Sequence, residues 1–313
     1  MNVLNKQKVI VLIGPTAVGK TALSIQLAKK FNGEIISGDS MQIYREMDIG
    51  TAKISPQEME GIPHHLIDIK DPDEEFSVAE FQKQVRAKIK EITSRGKLPM
   101  IVGGTGLYIQ SVLYDYHFTE SEGDAGFRRE MEQRIEKEGI QIVYDELRKI
   151  DAKSAENIHP NNTRRVIRAL EIYHTTGKTM AQYQADQQKE LLYNTTIIGL
   201  TMDREQLYSR INQRVDIMME QGLFEEVKKL YDQGLNNVQS IQAIGYKELY
   251  RYFEGNSTIE EAVLSLKQNS RRYAKRQLTW FRNKMNVHWF DVTDMSELEK
   301  IEQISQFVAG KLS

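Results

Sequence analysis

The 313-residue chain contains no cysteine, which excludes disulfides, a thiol nucleophile and any cysteine-ligated zinc site. No apolar run comes near the ~20 residues that span a bilayer, so no membrane partner is expected. The opening Met1-Asn2-Val3-Leu4-Asn5-Lys6 lacks the apolar stretch and cleavage site of a signal peptide. These absences predict a cytoplasmic protein. The six histidines show no metal-ligand spacing, and the pair His64-His65 reads as structural. Charge of one sign is also lacking. With 42 Lys+Arg against 44 Asp+Glu, the net charge is −2, so any nucleic-acid footprint must be a local patch. What is present, 40% hydrophobic and 27% charged residues, is the balance of an ordinary globular protein.

Residues 1–115 alternate short β-branched runs with amphipathic helical stretches. Val9 to Ile13 reads as a buried strand and Thr21 to Phe31 as the helix after it. Glu34 to Ser37 and Pro99 to Val102 are two more strand patterns, and His64 to Asp68 is a weaker one. Val78 to Thr93, with Phe81, Val85 and Ile89 four apart, predicts a helix. Strands alternating with helices imply a parallel sheet covered on both faces. Over 116–189 the pattern turns helical. Phe127, Met131 and Ile135 mark one helix; Val166, Leu170 and Tyr173 mark another, stopped by Gly177. Strand patterns return at Thr195 to Leu200 and at Val287 to Phe290. The economical reading is an α/β core of residues 1–115 and 190–313, an all-helical domain inserted over 116–189, and a channel between them. No long apolar helix face is left over, so a monomer is expected.

Gly14-Pro15-Thr16-Ala17-Val18-Gly19-Lys20-Thr21 fits G-x-x-x-x-G-K-[ST] at every fixed position, after a buried strand and before a helix. The glycines let backbone N–H groups turn in around phosphate oxygens, and the helix adds its positive end. Lys20 is placed to neutralise a phosphate, and the Thr21 hydroxyl to ligate Mg²⁺. The core is therefore expected to be P-loop NTPase-like. The loop announces a di- or triphosphate without saying which. A hydrolytic motor usually has a second apolar strand ending in a metal-binding Asp. The best candidate here, Leu66-Ile67-Asp68, follows a proline and two histidines and fits poorly. That favours a transferase with a phosphorylated leaving group.

Ligands gather at the carboxyl ends of parallel strands, which directs Asp39 and Thr105 toward the phosphate cleft. Asp39 could take a proton there, or cap a helix that follows it. Gly103-Gly104-Thr105-Gly106 is either a tight strand-to-helix turn or part of the site. Arg210 and Arg214, four apart, share a helix face. They either reach phosphates or pair in solvent with Asp203, Glu205 or Asp216. On a wheel at ~100° per residue, Arg271, Arg272, Lys275, Arg276, Thr279 and Arg282 fall on one arc, with Tyr273, Ala274, Leu278, Trp280 and Phe281 opposite. The arc holds no acid, which suits a polyanion.

Together, in order, these segments resemble the tRNA dimethylallyltransferases along nearly the whole chain. The resemblance runs through Gly14 to Thr21, Asp39 to Tyr44, Asp48 to Lys53, Pro63-His64-His65 and Gly103 to Tyr108. It continues through His159-Pro160-Asn161, Arg168 to Glu171, Gly245-Tyr246 and Lys275 to Arg282. It implies that the loop holds the diphosphate of dimethylallyl diphosphate with Mg²⁺, and that an adenine of the tRNA anticodon loop is flipped in to attack. By resemblance Asp39 is the general base, Thr105 lies by the bridging oxygen, and arginines matching Arg210 and Arg214 serve the diphosphate. The implied tRNA contacts are Asp39, Ser40, Met41, Gln42 and Thr105; Arg164, Arg165 and Arg168; Gln242, Gly245 and Lys247; and Lys275, Arg276, Gln277, Thr279, Trp280 and Arg282. The implied target is the adenine 3′ of the anticodon in an A-A-A run. Relatives that prenylate free adenine nucleotides, and small-molecule kinases, are the first alternative; neither needs so long a basic stripe. A GTPase-like RNA-binding module is the second, and no N-K-x-D segment supplies guanine specificity. Without cysteine, the C-terminal zinc finger of eukaryotic members is not expected.

Overall fold

The computed structural model describes residues 6–116, 118, 124–186 and 190–312. The first five residues, and 187–189 at the expected end of the insertion, lie outside the described residues. The β-branched runs become strands β1 (Lys8–Ile13), β2 (Gly33–Ser37), β3 (His64–His65), β4 (Leu98–Gly103), β5 (Asn194–Thr201) and β6 (His288–Asp291). They form one sheet in the order β3-β2-β4-β1-β5-β6, with every neighbouring pair parallel. The helices are α1 (Lys20–Phe31), α2 (Val78–Ser94) and α3 (Gly106–Leu113), then α4 (Ala125–Glu138), α5 (Ile140–Ile150), α6 (Ala152–Ala155), α7 (Thr163–Thr176) and α8 (Met180–Ala185). After these come α9 (Arg204–Glu220), α10 (Leu223–Asp232), α11 (Tyr246–Phe253), α12 (Ile259–Lys284) and α13 (Glu297–Leu312).

A parallel strand covered on both faces must send alternate side chains to two cores, and β1 does so. Val9, Val11 and Ile13 join Phe81, Val85 and Ile89 of α2, Leu223 and Val227 of α10, and Phe281 of α12. Ile10 and Leu12 join Leu23 and Leu27 of α1, Leu207 and Ile211 of α9, and Ile304 and Val308 of α13. Full burial of each such side chain contributes about 1.5–3 kcal/mol. The expected strand over His64 to Asp68 is only two residues long. Leu66 and Asp68 adopt left-handed φ of 61° and 54°, which turns the chain away from the sheet.

The described chain divides into two compact units, Met1–Tyr114 with Leu191–Ser313, and Asp115–Glu190. Among its described residues the second unit is helical, around Met131, Val143, Leu147, Val166 and Leu170. Its buried Glu171 accepts from Arg128 Nε at 2.7 Å and Arg168 Nη1 at 2.6 Å. Gly177 ends α7 with φ 69°. Tyr173, expected on the apolar face of α7, is instead 42% exposed, because the buried stripe runs through Val166, Ala169 and Leu170.

Candidate active site

The site is assembled where the ends of β1, β2 and β4 meet, and the meeting depends on bare backbone. At Gly103 an added Cβ would lie 2.3 Å from the Gly38 carbonyl, so these two loops touch main chain to main chain. Gly38 N–H donates to Val102 O at 2.8 Å, and Thr105 N–H to Gly38 O at 3.2 Å. Ser40 N–H then donates to Thr105 Oγ1 at 3.2 Å. Asp39 and Thr105, separated by 66 residue positions in sequence, are thereby held side by side. No helix follows Asp39. Its carboxylate accepts from Met41 N–H at 2.9 Å and closes a turn beside the cavity, with no helix to cap. Gln42, read as an RNA contact, spends its side chain on this architecture: it meets Ser37 Oγ at 3.0 Å and Thr51 O at 3.3 Å.

Most helices here begin with a side-chain cap; α12, for example, has a capping box of Thr258 and Glu261. Helix α1 has none. Its N-cap is Gly19 at φ 99°, and its first turn carries no acid, so its leading N–H groups are left for a ligand anion. Inside the loop, Lys20 Nζ donates to Gly14 O at 3.0 Å and Pro15 O at 2.7 Å. Burial and the nearby Arg214 guanidinium push Lys20 down to about 7, against the opposing pull of Asp39. Burial raises the Asp39 carboxyl, an effect partly offset by Met41 N–H and Lys20. Thr21 opens α1 on the exposed side.

A cavity of about 310 Å³ lies beside this cluster. Thr16, Asp39, Arg214, Tyr273 and Arg276 make its polar side, and Ile211, Val215, Met218, Leu223 and Leu266 its apolar side. All of its lining residues belong to the first unit. Burial lowers the Arg214 pKa. Arg210 does not join it. That guanidinium reaches Met202 Sδ at 3.8 Å and lines a separate cavity of about 350 Å³ with Ser209, Thr293 and Lys300. One helical turn thus divides two arginines that sequence spacing had grouped.

On α12, Arg272, Lys275, Arg276, Thr279 and Arg282 are exposed, and no carboxylate pairs with these four cations among the described residues. Arg276 reaches the cavity; Arg282 lies 5.6 Å over the Trp289 ring. Arg271 turns inward to Asn212 instead. Gln277 lies off the stripe, on the buried side of α12. It is only 5% exposed and clamps two loops, accepting from Thr16 N–H at 2.9 Å and donating to Gly104 O at 3.1 Å. Trp280 packs its indole against Gly106, where a Cβ would lie 2.1 Å away. Gln242, Gly245 and Lys247 line the cavity. Arg164 and Arg165 are exposed on α7 in the second unit. Two residues of the site escaped the sequence reading. Tyr273, assigned there to packing, lines the cavity with Thr16, Asp39 and Arg276. Glu226, in an ordinary-looking acidic pair on α10, binds the Asp48–Gly50 backbone. Neither carries a local signal; each is defined by a partner far away in sequence.

Among the described residues no group of three acidic or histidine side chains could hold a metal, and Asp68 is engaged by Lys53 Nζ at 2.6 Å.

A parallel sheet, a glycine-rich loop and an uncapped helix enclosing a lysine define a phosphate-loop α/β protein. A buried carboxylate at the mouth of a partly apolar cavity makes it a transferase rather than a motor. The IPP transferase family model matches residues 42–284, and the chain belongs to that family. It is 66% identical to the tRNA dimethylallyltransferase of Bacillus subtilis strain 168 over 308 residues, 98% of each chain. It is similar to the crystal structure of the full-length tRNA isopentenylpyrophosphate transferase from Bacillus halodurans (57% identity, TM-score 0.75, covering 98% of this chain and 97% of that one). A eukaryotic dimethylallyltransferase acting on tRNA gives a TM-score of 0.83 at 35% identity, over 97% of this chain and 80% of that one.

Proposed function

We propose that this chain transfers a dimethylallyl group from dimethylallyl diphosphate to the exocyclic N6 amine of the adenosine 3′ of the anticodon in tRNA. The observation that carries the reading is a single cavity joining an anion cradle, a buried carboxylate and an apolar wall, with an acid-free basic stripe leading away from it. The amine attacks the allylic carbon; the new C–N bond forms as the C–O bond breaks, and the electron pair leaves with pyrophosphate. The N6 proton passes to Asp39. Burial raises its pKa, which makes it a stronger proton acceptor once ionised. Charge developing on the leaving group meets Lys20, Arg214 and the backbone N–H groups of Ala17 to Thr21. Thr105, whose hydroxyl accepts from Ser40 N–H beside Asp39, serves the bridging oxygen in this reading. A bound Mg²⁺ would be held by the Thr21 hydroxyl and phosphate oxygens, and would neutralise charge on the leaving group.

The anticodon loop would enter beside Asp39, Ser40, Met41 and Gly245, with its backbone along Arg272, Lys275, Arg276 and Arg282; Arg164, Arg165 and Arg168 offer further cations. A monomer suffices, since one chain lines the cavity, and a tRNA substrate implies work in the cytoplasm. No helix among the described residues is long and apolar enough to cross a membrane. The test is purified protein with Mg²⁺ and dimethylallyl diphosphate, offered unmodified tRNA or AMP. Pyrophosphate release and prenylated adenine with tRNA alone are expected; turnover with AMP alone would replace this reading with a free-nucleotide prenyltransferase.

A further inference from the structure

Two walls of the cavity come from segments far apart in sequence: Gly50, Thr51 and Ala52 on one side, Gly245 and Lys247 on the other. Both meet at one carboxylate that lines neither. Glu226 Oε2 accepts from the N–H groups of Asp48 at 2.9 Å and Ile49 at 2.8 Å. Its Oε1 accepts from Gly50 N–H at 3.0 Å and from the Tyr246 hydroxyl at 2.6 Å. Three successive backbone N–H groups form an anion nest, here filled by the protein's own side chain. The fourth donor, Tyr246, sits between Gly245 and Lys247 and is fully buried. Its ring occupies the space beside Gly50, where a Cβ would lie 2.5 Å away. The far end of the same loop is fixed independently, by Lys53 Nζ on Tyr44 O at 2.7 Å and on Asp68. Glu226 is thus a charged link between the Gly50 wall and the Tyr246 wall.

The diphosphate end is secured by other means: the Gly38–Gly103 abutment, Gln277 on Thr16 and Gly104, and Lys20 within its loop. None of these groups contacts Glu226. We infer that Glu226 is a positioning residue for the acceptor, setting the gap between the Gly50–Ala52 and Gly245–Lys247 walls that receives the adenine and its neighbours, with no part in holding the donor. The inference rests on the prenyl-transfer reading above, because it assigns the two ends of the cavity to acceptor and donor.

The experiment compares Glu226→Gln with the unaltered chain, measuring KM for tRNA and for dimethylallyl diphosphate separately, with donor affinity also read by calorimetry. Glutamine keeps the shape but turns one terminus into a donor facing N–H groups. Losing charge-assisted bonds of this kind predicts a rise of roughly 10–100-fold in the tRNA KM. The donor KM and donor Kd stay unchanged. Tyr246→Phe, which removes one of four donors and leaves the ring against Gly50, shifts the tRNA KM in the same direction by less. It also serves if the glutamine variant does not fold. Glu226→Asp, which keeps the charge, restores part of the loss. Equal losses for donor and acceptor, or an unchanged tRNA KM in a folded variant, overturn the inference while the unaltered chain still prenylates tRNA. An unaltered chain inert on tRNA overturns the functional reading and takes this inference with it.

Discussion

Two sets of cations serve this molecule in opposite ways. Lys20 and Arg214 are crowded against Asp39 inside the cleft, and burial shifts all three groups from their ordinary protonation behaviour. Arg272, Lys275, Arg276 and Arg282 stand in solvent on α12 without a carboxylate partner. Charges of the first kind are costly to bury and act individually on a transition state. Charges of the second kind are each worth little and act as a sum that salt screens. On the proposed reading, the difference separates chemistry in the cleft from recognition along α12.

Asp39→Ala should break the buried set most severely, cutting turnover by about 10²–10⁴-fold with tRNA affinity retained; unchanged turnover would remove its role as base. Arg214→Ala should lower kcat/KM for the donor by about 10–100-fold. Arg210→Ala, one turn earlier on the same helix and lining the other cavity, should cost no more than about threefold; equal losses would show that one turn does not separate them. Replacing Arg272, Arg276 and Arg282 together by Ala should leave donor KM intact and weaken tRNA binding. It should also flatten the log–log salt slope by about 2, at roughly 0.7 per lost phosphate contact. An unaltered slope would reduce the stripe to a solvated face.

The smallest effect is a pH dependence. In the free protein Lys20 is lowered to about 7, so it is charged below that pH and loses its proton above it. A diphosphate requires the charged form, hence donor KM should be level below about pH 7. It should rise above that, by up to about tenfold per unit. Asp39 has the reverse sense: raised by burial, it must be ionised to accept a proton, so turnover falls as acid protonates it. Lys20→Arg should abolish the alkaline rise.

Features with a short local period were legible in the sequence. The alternation of Val9 to Ile13, the four-residue spacing of Phe81, Val85 and Ile89, and the fixed positions of the phosphate loop each report on neighbours along the chain. The misread features depend on distant partners. Gln277, expected as an RNA contact, is held by Thr16, 261 residues earlier. Arg210 and Arg214 look equivalent until α9 is set between two cavities. The strand expected through Asp68 fails because that residue is bent toward Lys53. Side chains that join loops leave no periodic trace, and sites are built mainly from loops.

The abutment of Gly38 and Gly103 has a corollary for engineering. Because the loops bearing Asp39 and Thr105 abut main chain to main chain at Gly38 and Gly103, their separation is set there by peptide dimensions. Remodelling Met218, Leu223 or Leu266 to accept a bulkier donor would leave that spacing in register. Even alanine at Gly103 would act as a wedge. The chassis can be re-upholstered freely so long as this one weld is spared.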